Sequence, residues 1–284
     1  MKAAKKLRML LQQDGVIMAP CAYDALTARL VEYCGFKMIG ATGNGIHGDY
    51  LGTPDNGSMT MTEMADVCHR MAGATTIPIM ADAEAGYGNA INAYRTIQEF
   101  EKAGVAGVFI EDQKLPTTCP FVSAPTLIST EAMCGKIKAA LAAREDPDFV
   151  ICARSDAPFE EAIERAQAYL EAGADMIKIV PKNRKELEEL PKRVNAPLHL
   201  GFVTGKNIHN GLSAFDMGKL GYKIVSFPQV LYYLAVHAQI GGLRELLEKG
   251  MDDDMADRMI TMEQYLKVVG AERFTEIREK YVKE

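Results

Sequence analysis

Phe100-Glu101-Lys102-Ala103-Gly104-Val105-Ala106-Gly107-Val108-Phe109-Ile110-Glu111-Asp112-Gln113 holds the end of an amphipathic helix, a closing glycine, a short apolar strand and a charged strand end. Glycine ends such helices because it takes the left-handed backbone conformation without a Cβ clash. The same order recurs at Gly35 before Phe36-Lys37-Met38-Ile39-Gly40-Ala41, and at Gly173 before Ala174-Asp175-Met176-Ile177-Lys178-Ile179-Val180. It recurs again at Gly221 before Tyr222-Lys223-Ile224-Val225-Ser226-Phe227. Val16-Ile17-Met18-Ala19, Ile77-Pro78-Ile79-Met80-Ala81, Phe149-Val150-Ile151-Cys152-Ala153 and Pro197-Leu198-His199-Leu200 complete the set. Short continuous apolar runs between turn residues suit strands buried on both faces of a parallel sheet. Strands alternating with helices in this number predict an α/β protein, a (β/α)8 TIM-type barrel, with a doubly wound open sheet as the alternative.

Beyond the eighth run the pattern stays helical, over about residues 229–249 and 261–283, more helix than a barrel's outer layer needs. No Pro/Gly/Ser-rich linker divides the chain. Residues 1–284 therefore read as a single barrel domain, with residues 229–284 a helical C-terminal extension expected to pack on a neighbouring subunit. The acidic run Asp252 to Asp254 reads as a helix start.

Composition narrows the function. At 284 residues the chain can bury a large core without covalent staples, and 48% hydrophobic with 25% charged residues is the balance of a globular protein. A net charge of -6 with interspersed signs offers no broad basic surface to nucleic acid or anionic lipid. The six cysteines form no C-x-x-C pair and no Cys/His cluster, so reduced thiols and a cytoplasmic location are expected. Residues 1–7 are basic but lack the apolar core of a signal peptide, and no apolar run reaches the roughly 20 residues of a membrane span.

In such barrels the chemistry sits at the carboxyl ends of the strands. Those ends bring Asp82 and Glu84, then Glu111 and Asp112, then Arg154 and Asp156, with Asp55 in the loop after strand two. Carboxylates converging on one mouth repel one another unless a cation neutralises them. Oxygen donors with few histidines select Mg²⁺, with Mn²⁺ as the alternative, over zinc. Arg154 suits a forked grip on a substrate carboxylate. Gly40-Ala41-Thr42-Gly43-Asn44-Gly45 does not have dinucleotide-fold spacing and reads as a tight loop allowing close backbone approach to a small substrate. Met59 to Met64 reads as core filler, and His47, His199 and His209 as structurally hydrogen-bonded histidines.

These residues resemble the isocitrate lyase and phosphoenolpyruvate mutase superfamily, and most closely its 2-methylisocitrate lyase and 2,3-dimethylmalate lyase branch. The resemblance rests on Ala81-Asp82-Ala83-Glu84-Ala85-Gly86-Tyr87-Gly88-Asn89, on Glu101 to Gln113, and on Leu51-Gly52-Thr53-Pro54-Asp55-Asn56-Gly57. It implies a barrel that exchanges a helix between subunits of a homotetramer. It implies Mg²⁺ held largely by Asp82, with Asp55, Glu84 and Glu111 contacting it mostly through water. Thr42 and Gly43 would bind the oxo-acid carboxylate and Arg154 would steady the reacting oxygen.

The chain also departs from that pattern. Glu84 stands where the family has aspartate, and Pro116-Thr117-Thr118-Cys119-Pro120-Phe121-Val122 replaces a loop with Lys-Lys/Arg-Cys-Gly-His. Cys119 keeps its spacing from Glu111 and is expected to be the catalytic acid on a mobile lid, residues 116–123. Val180-Pro181-Lys182-Asn183 lacks the family's Pro-Glu, and Gly201-Phe202-Val203-Thr204 replaces Asn-x-Thr-Glu. The expected activity is Mg²⁺-dependent C–C cleavage of a 2-hydroxy di- or tricarboxylate to an oxo acid such as pyruvate plus a carboxylate. Oxaloacetate decarboxylation or hydrolysis, phosphonopyruvate-type C–P chemistry, and non-catalytic oxo-acid binding are the alternatives.

Overall fold

The computed structural model describes residues 1–283 apart from 121, 122, 204, 206 and 210. Eight parallel strands close into a barrel in sequence order: β1 (Ile17–Ala22), β2 (Ile39–Ala41), β3 (Ile79–Asp82), β4 (Gly107–Glu111), β5 (Val150–Ser155), β6 (Met176–Ile179), β7 (Leu198–Gly201) and β8 (Ile224–Phe227). Closure comes from β1 pairing with β8, Ile17 opposite Ile224, which rules out the open-sheet alternative. Gly35, Gly104, Gly173 and Gly221, the four repeat glycines, all have φ between +86° and +112°. A side chain there would meet the left-handed penalty, so these positions fix where each helix turns into the next strand.

The strands run further into the charged sequence than the apolar runs suggested. β3 ends on Asp82, β4 on Glu111, and β5 carries Arg154 and Ser155. Ladder bonding continues past the last apolar residue, so these side chains are aimed by sheet rather than by loop. The barrel floor is apolar: Met38, Met80, Val150, Met176 and Ile224 are at most 1% exposed. Leu7, from the helix Ala3–Gln12, packs fully buried against them. Burying such side chains stabilises the fold by about 1.5–3 kcal/mol each.

One expectation is corrected. The segment after β2 is not a loop but a helix, Gly43–Tyr50, whose first turn is capped by Thr42 Oγ1 accepting from the Gly45 N–H. Threonine outside the helix satisfies an amide that the first turn leaves without an intrahelical partner, which overrides the poor helix propensity of its glycines. As expected, Met59 and Met64 are buried.

Two compact units are recognised, residues Met1–Val230 and Leu231–Glu284. The second contains most of the long helix Val230–Lys249, a 3-10 turn Asp253–Arg258, and helices Met262–Val269 and Ala271–Tyr281. The last two are separated at Gly270, φ 69°, within the stretch 261–283 expected to be helical. Leu234, Leu243, Leu247, Met262 and Phe274 of this unit are all exposed. Among the described residues no helix is long and apolar enough to cross a membrane.

Candidate active site

The expected carboxylates converge at the strand ends, but not all of them face one point. Asp82 closes β3, and its Oδ1 accepts the N–H of Glu84 at 2.9 Å. Glu84 itself has φ +49°, a conformation uncommon for a side chain other than glycine. Its carbonyl is pinned by the Glu111 N–H at 2.9 Å, so the turn is fixed from both sides. The result is a buried Glu84 carboxylate beside that of Asp82. A Cβ added at Gly43 would stand 2.9 Å from Asp82 Oδ2 and 3.2 Å from Glu84 Oε1. Gly43 thus leaves open the space on which both carboxylates border.

His47 and Asp55 complete this group. One ligand atom each from His47, Asp55 and Glu84 lie within 4.8 Å of one another. His47 Nδ1 is 2.9 Å from the Gly43 carbonyl oxygen, which only accepts, so Nδ1 donates there and Nε2 is the ring nitrogen left over. That Nε2 and Glu84 Oε1 are buried without a partner. Burial, together with the neighbouring Asp82, Asp55 and Glu111, pushes the Glu84 carboxyl well above the usual carboxylate range. Burial and Asp82 raise Asp55 in the same direction, against His47 and Arg154. An orphaned buried carboxylate oxygen in a crowded acidic cluster is what a divalent cation relieves, so the residues fit a hard metal ion.

Glu111 and Arg154 form the second half of the site. Arg154 Nη1 lies 3.0 Å from Glu111 Oε2, and its Nε and Nη2 donate to Asp156 Oδ1 at 3.1 and 3.0 Å. Burial opposes the guanidinium charge, but Asp156 and Glu111 outweigh it and raise its pKa. Burial dominates at Glu111, which is pushed well above its ordinary value despite Arg154. Two of the carboxylates read as converging on the metal do other work. Asp156 clamps Arg154 and accepts from Gln113 Nε2 at 2.8 Å. Asp112, the residue just after β4 and so turned to the opposite side from Glu111, is fully buried. It accepts from Ser155 Oγ at 2.7 Å, Tyr169 OH at 2.8 Å, the Asp156 N–H at 3.1 Å and Arg165 Nη1 at 3.3 Å.

The loop expected to be a lid reaches this cluster through residues that sequence reasoning passed over. Thr117 Oγ1 donates to Glu84 Oε2 at 2.8 Å, and the Thr118 N–H donates to Gln113 Oε1 at 2.9 Å. Cys119 follows, half-buried, its carbonyl accepting the Ser123 N–H at 3.2 Å. Phe121 and Val122, also in the expected lid, lie outside the described residues. Thr117 was missed because attention fell on the family's basic and cysteine positions, and a lone threonine carries no spacing signal.

Residues 7–247 match the family model described as phosphoenolpyruvate phosphomutase. The chain belongs to this family. Within it, the chain is 37% identical over 289 residues to a 2,3-dimethylmalate lyase of Eubacterium barkeri, covering 99% of each chain. It is 38% identical over 272 residues to a 2-methylisocitrate lyase of Aeropyrum pernix, covering 93% of this chain and 86% of that one. Its fold superposes with TM-score 0.91 and 30% identity on oxaloacetate acetylhydrolase in complex with 3,3-difluorooxaloacetate, covering 98% of this chain and 96% of that structure. The chain is therefore an enzyme of a family whose members similar to it include carbon–carbon lyases. The range of activities among these relatives leaves its substrate to be argued from the site.

Proposed function

We propose that the protein is a Mg²⁺-dependent lyase that cleaves a 2-hydroxy di- or tricarboxylate, of the 2-methylisocitrate or 2,3-dimethylmalate type, to an oxo acid such as pyruvate and a carboxylate. The observation that carries this reading is the set of half-buried Asp55 and Asp82 with buried Glu84 and Glu111, standing beside the doubly held Arg154. Asp82, with Glu84, Asp55 and Glu111, would hold the ion, and Mn²⁺ meets the same oxygen donors. Bound there, a divalent ion supplies Lewis acidity toward the substrate's 2-oxygen.

The remaining roles fall to the chain. Thr42 and Gly43 open the helix Gly43–Tyr50, whose N-terminal amides favour the oxo-acid carboxylate. Arg154, its fork oriented by Glu111 and Asp156, steadies the oxygen on which negative charge grows. Cys119 returns a proton to the carbon left behind as a carboxylate-stabilised carbanion. The same reading makes the enzyme a cytoplasmic homotetramer in which residues 229–284 pack on a neighbour, a role supported by the exposed Leu234, Leu243 and Leu247.

A second reading keeps the metal half-site but cleaves oxaloacetate by hydrolysis or decarboxylation. It is favoured by the similarity to oxaloacetate acetylhydrolase and by a loop without basic residues. A screen of candidate substrates with Mg²⁺, measuring pyruvate, glyoxylate and oxalate separately, decides between them. Pyruvate with a carboxylate co-product supports the lyase; turnover of oxaloacetate alone supports the second reading. Oxalate binding without any turnover would leave only an oxo-acid binding protein.

A further inference from the structure

Glu111, Arg154, Lys178 and His199 are register partners across β4, β5, β6 and β7. Register partners in a parallel sheet share a face, and Glu111 and Arg154 face the barrel interior, so Lys178 and His199 do too. The row of the active site therefore continues across the mouth into strands with no role in the proposed reaction. Barrel strands tilt by about 36°, so a row perpendicular to them descends around the barrel. Lys178 accordingly stands near the floor of the mouth, where its four-carbon stem lays the ammonium 3.5 Å from the centroid of the Phe109 ring.

Lys178 differs from Arg154 in one respect. Arg154 is answered by Glu111 and Asp156, whereas Lys178, 9% exposed, has neither hydrogen bond nor ion pair among the described residues. It is the one Lys or Arg in β6, β7 and β8. Beside it, His199 is buried with Nε2 2.8 Å from Ser226 Oγ and Nδ1 without a partner. Burial and the like charge of Arg154 push the Lys178 ammonium below its ordinary value, while Asp82 works the other way. A buried cation without a counter-ion is costly, and an incoming anion relieves it.

We infer that Lys178 binds the second carboxylate of a dicarboxylate substrate, and so selects di- over monocarboxylate ligands at this mouth. The inference rests on the proposed metal half-site, which takes the first carboxylate and the 2-oxygen on the opposite side. A ligand spanning both would cross from Gly43 and Asp82 to Lys178.

Titration calorimetry in Mg²⁺ tests it with two probes. Oxalate, whose adjoining carboxylates stand in for an oxo acid's carboxylate and 2-oxygen, engages the metal half-site alone, whereas 3,3-difluorooxaloacetate carries a distal carboxylate on a short arm. Lys178→Met is expected to weaken difluorooxaloacetate by about 10–100-fold, the range of a hydrogen bond to a charged group, and to leave oxalate unchanged. Lys178→Arg is expected to keep most of the difluorooxaloacetate affinity. Methionine approximates the lysine stem in volume, and Lys178→Gln serves as a second neutral variant should Met disturb folding. Equal weakening of both probes, or of neither, with oxalate binding intact in the wild type, overturns the inference alone. Failure of the wild type to bind oxalate overturns the metal half-site and the inference with it.

Discussion

Thr117 Oγ1 donates to Glu84 Oε2 across 2.8 Å, and this bond joins the loop after β4 to the acidic turn after β3. It occupies one oxygen of Glu84 and leaves Oε1 as the orphan. Gly57 permits this close approach from the far side, since a Cβ there would stand 2.8 Å from the Thr117 nitrogen. Loop position and carboxylate orientation are therefore one geometric problem, with Thr117 at its centre.

Thr117→Val should release the loop while nearly conserving volume. Losing a hydrogen bond to a carboxylate costs about 1.5–3 kcal/mol, so turnover is expected to fall by about 10–100-fold. Hydrogen exchange over residues 116–123 should rise in the free protein. In the wild type it should fall when oxalate and Mg²⁺ are added, as closure of a lid requires. Exchange indifferent to ligand would remove the lid.

The acidic cluster at the barrel mouth makes stability depend on pH. Asp55, Glu84 and Glu111 all have raised pKa values, so the folded metal-free protein holds protons that the unfolded chain releases. Their contribution to stability is full below the ordinary carboxylate range and is lost as pH rises through the folded-state values. Without metal, the melting temperature should fall as pH rises through the interval above the ordinary carboxylate range. The increment from added Mg²⁺ should grow over the same interval, because the ion competes with those protons. Asp82→Ala should abolish the increment and the activity in a folded protein. An increment that is the same at both ends of the interval would contradict the site.

The barrel was legible because its signal is redundant: four glycine-closed helices and eight apolar runs repeat one unit. The convergence of Asp82, Glu84 and Glu111 at the barrel mouth was legible because position at or just past a strand end is itself a sequence property. Lys178 lies within an apolar run, and a charge inside Met176-Ile177-Lys178-Ile179 is the visible anomaly in the sequence. Asp112 and Glu111, adjacent in sequence, could not be told apart by composition. Only alternation along β4 sends one to the mouth and the other to Tyr169 and Arg165.

Asp112→Ala is expected to act on folding rather than on chemistry. It leaves Ser155, Tyr169 and Arg165 buried without their common acceptor. Removing one partner of a buried charged network costs about 3–5 kcal/mol. Chemical denaturation should show that loss, and Asp112→Asn, which keeps an acceptor oxygen, should lose less. A variant as stable as the wild type would mean that water replaces the carboxylate.

Cys119→Ser tests the assignment of the catalytic acid. Cys119 follows Thr117 and Thr118, which tether the loop to Glu84 and Gln113, so its thiol is carried by a segment already anchored at the metal side of the mouth. A general acid must be protonated before it reacts, and a thiol meets that condition at neutral pH without a basic neighbour. Serine preserves the shape but is a far weaker acid, so the loss should appear in the chemical step. The expected fall in kcat is about 10²–10⁴-fold, with oxalate affinity retained. Steady-state kinetics beside an oxalate titration separate the two quantities. Near-normal turnover would move the proton donor elsewhere, and oxaloacetate hydrolysis, in which water brings the proton, would become the better reading of this mouth.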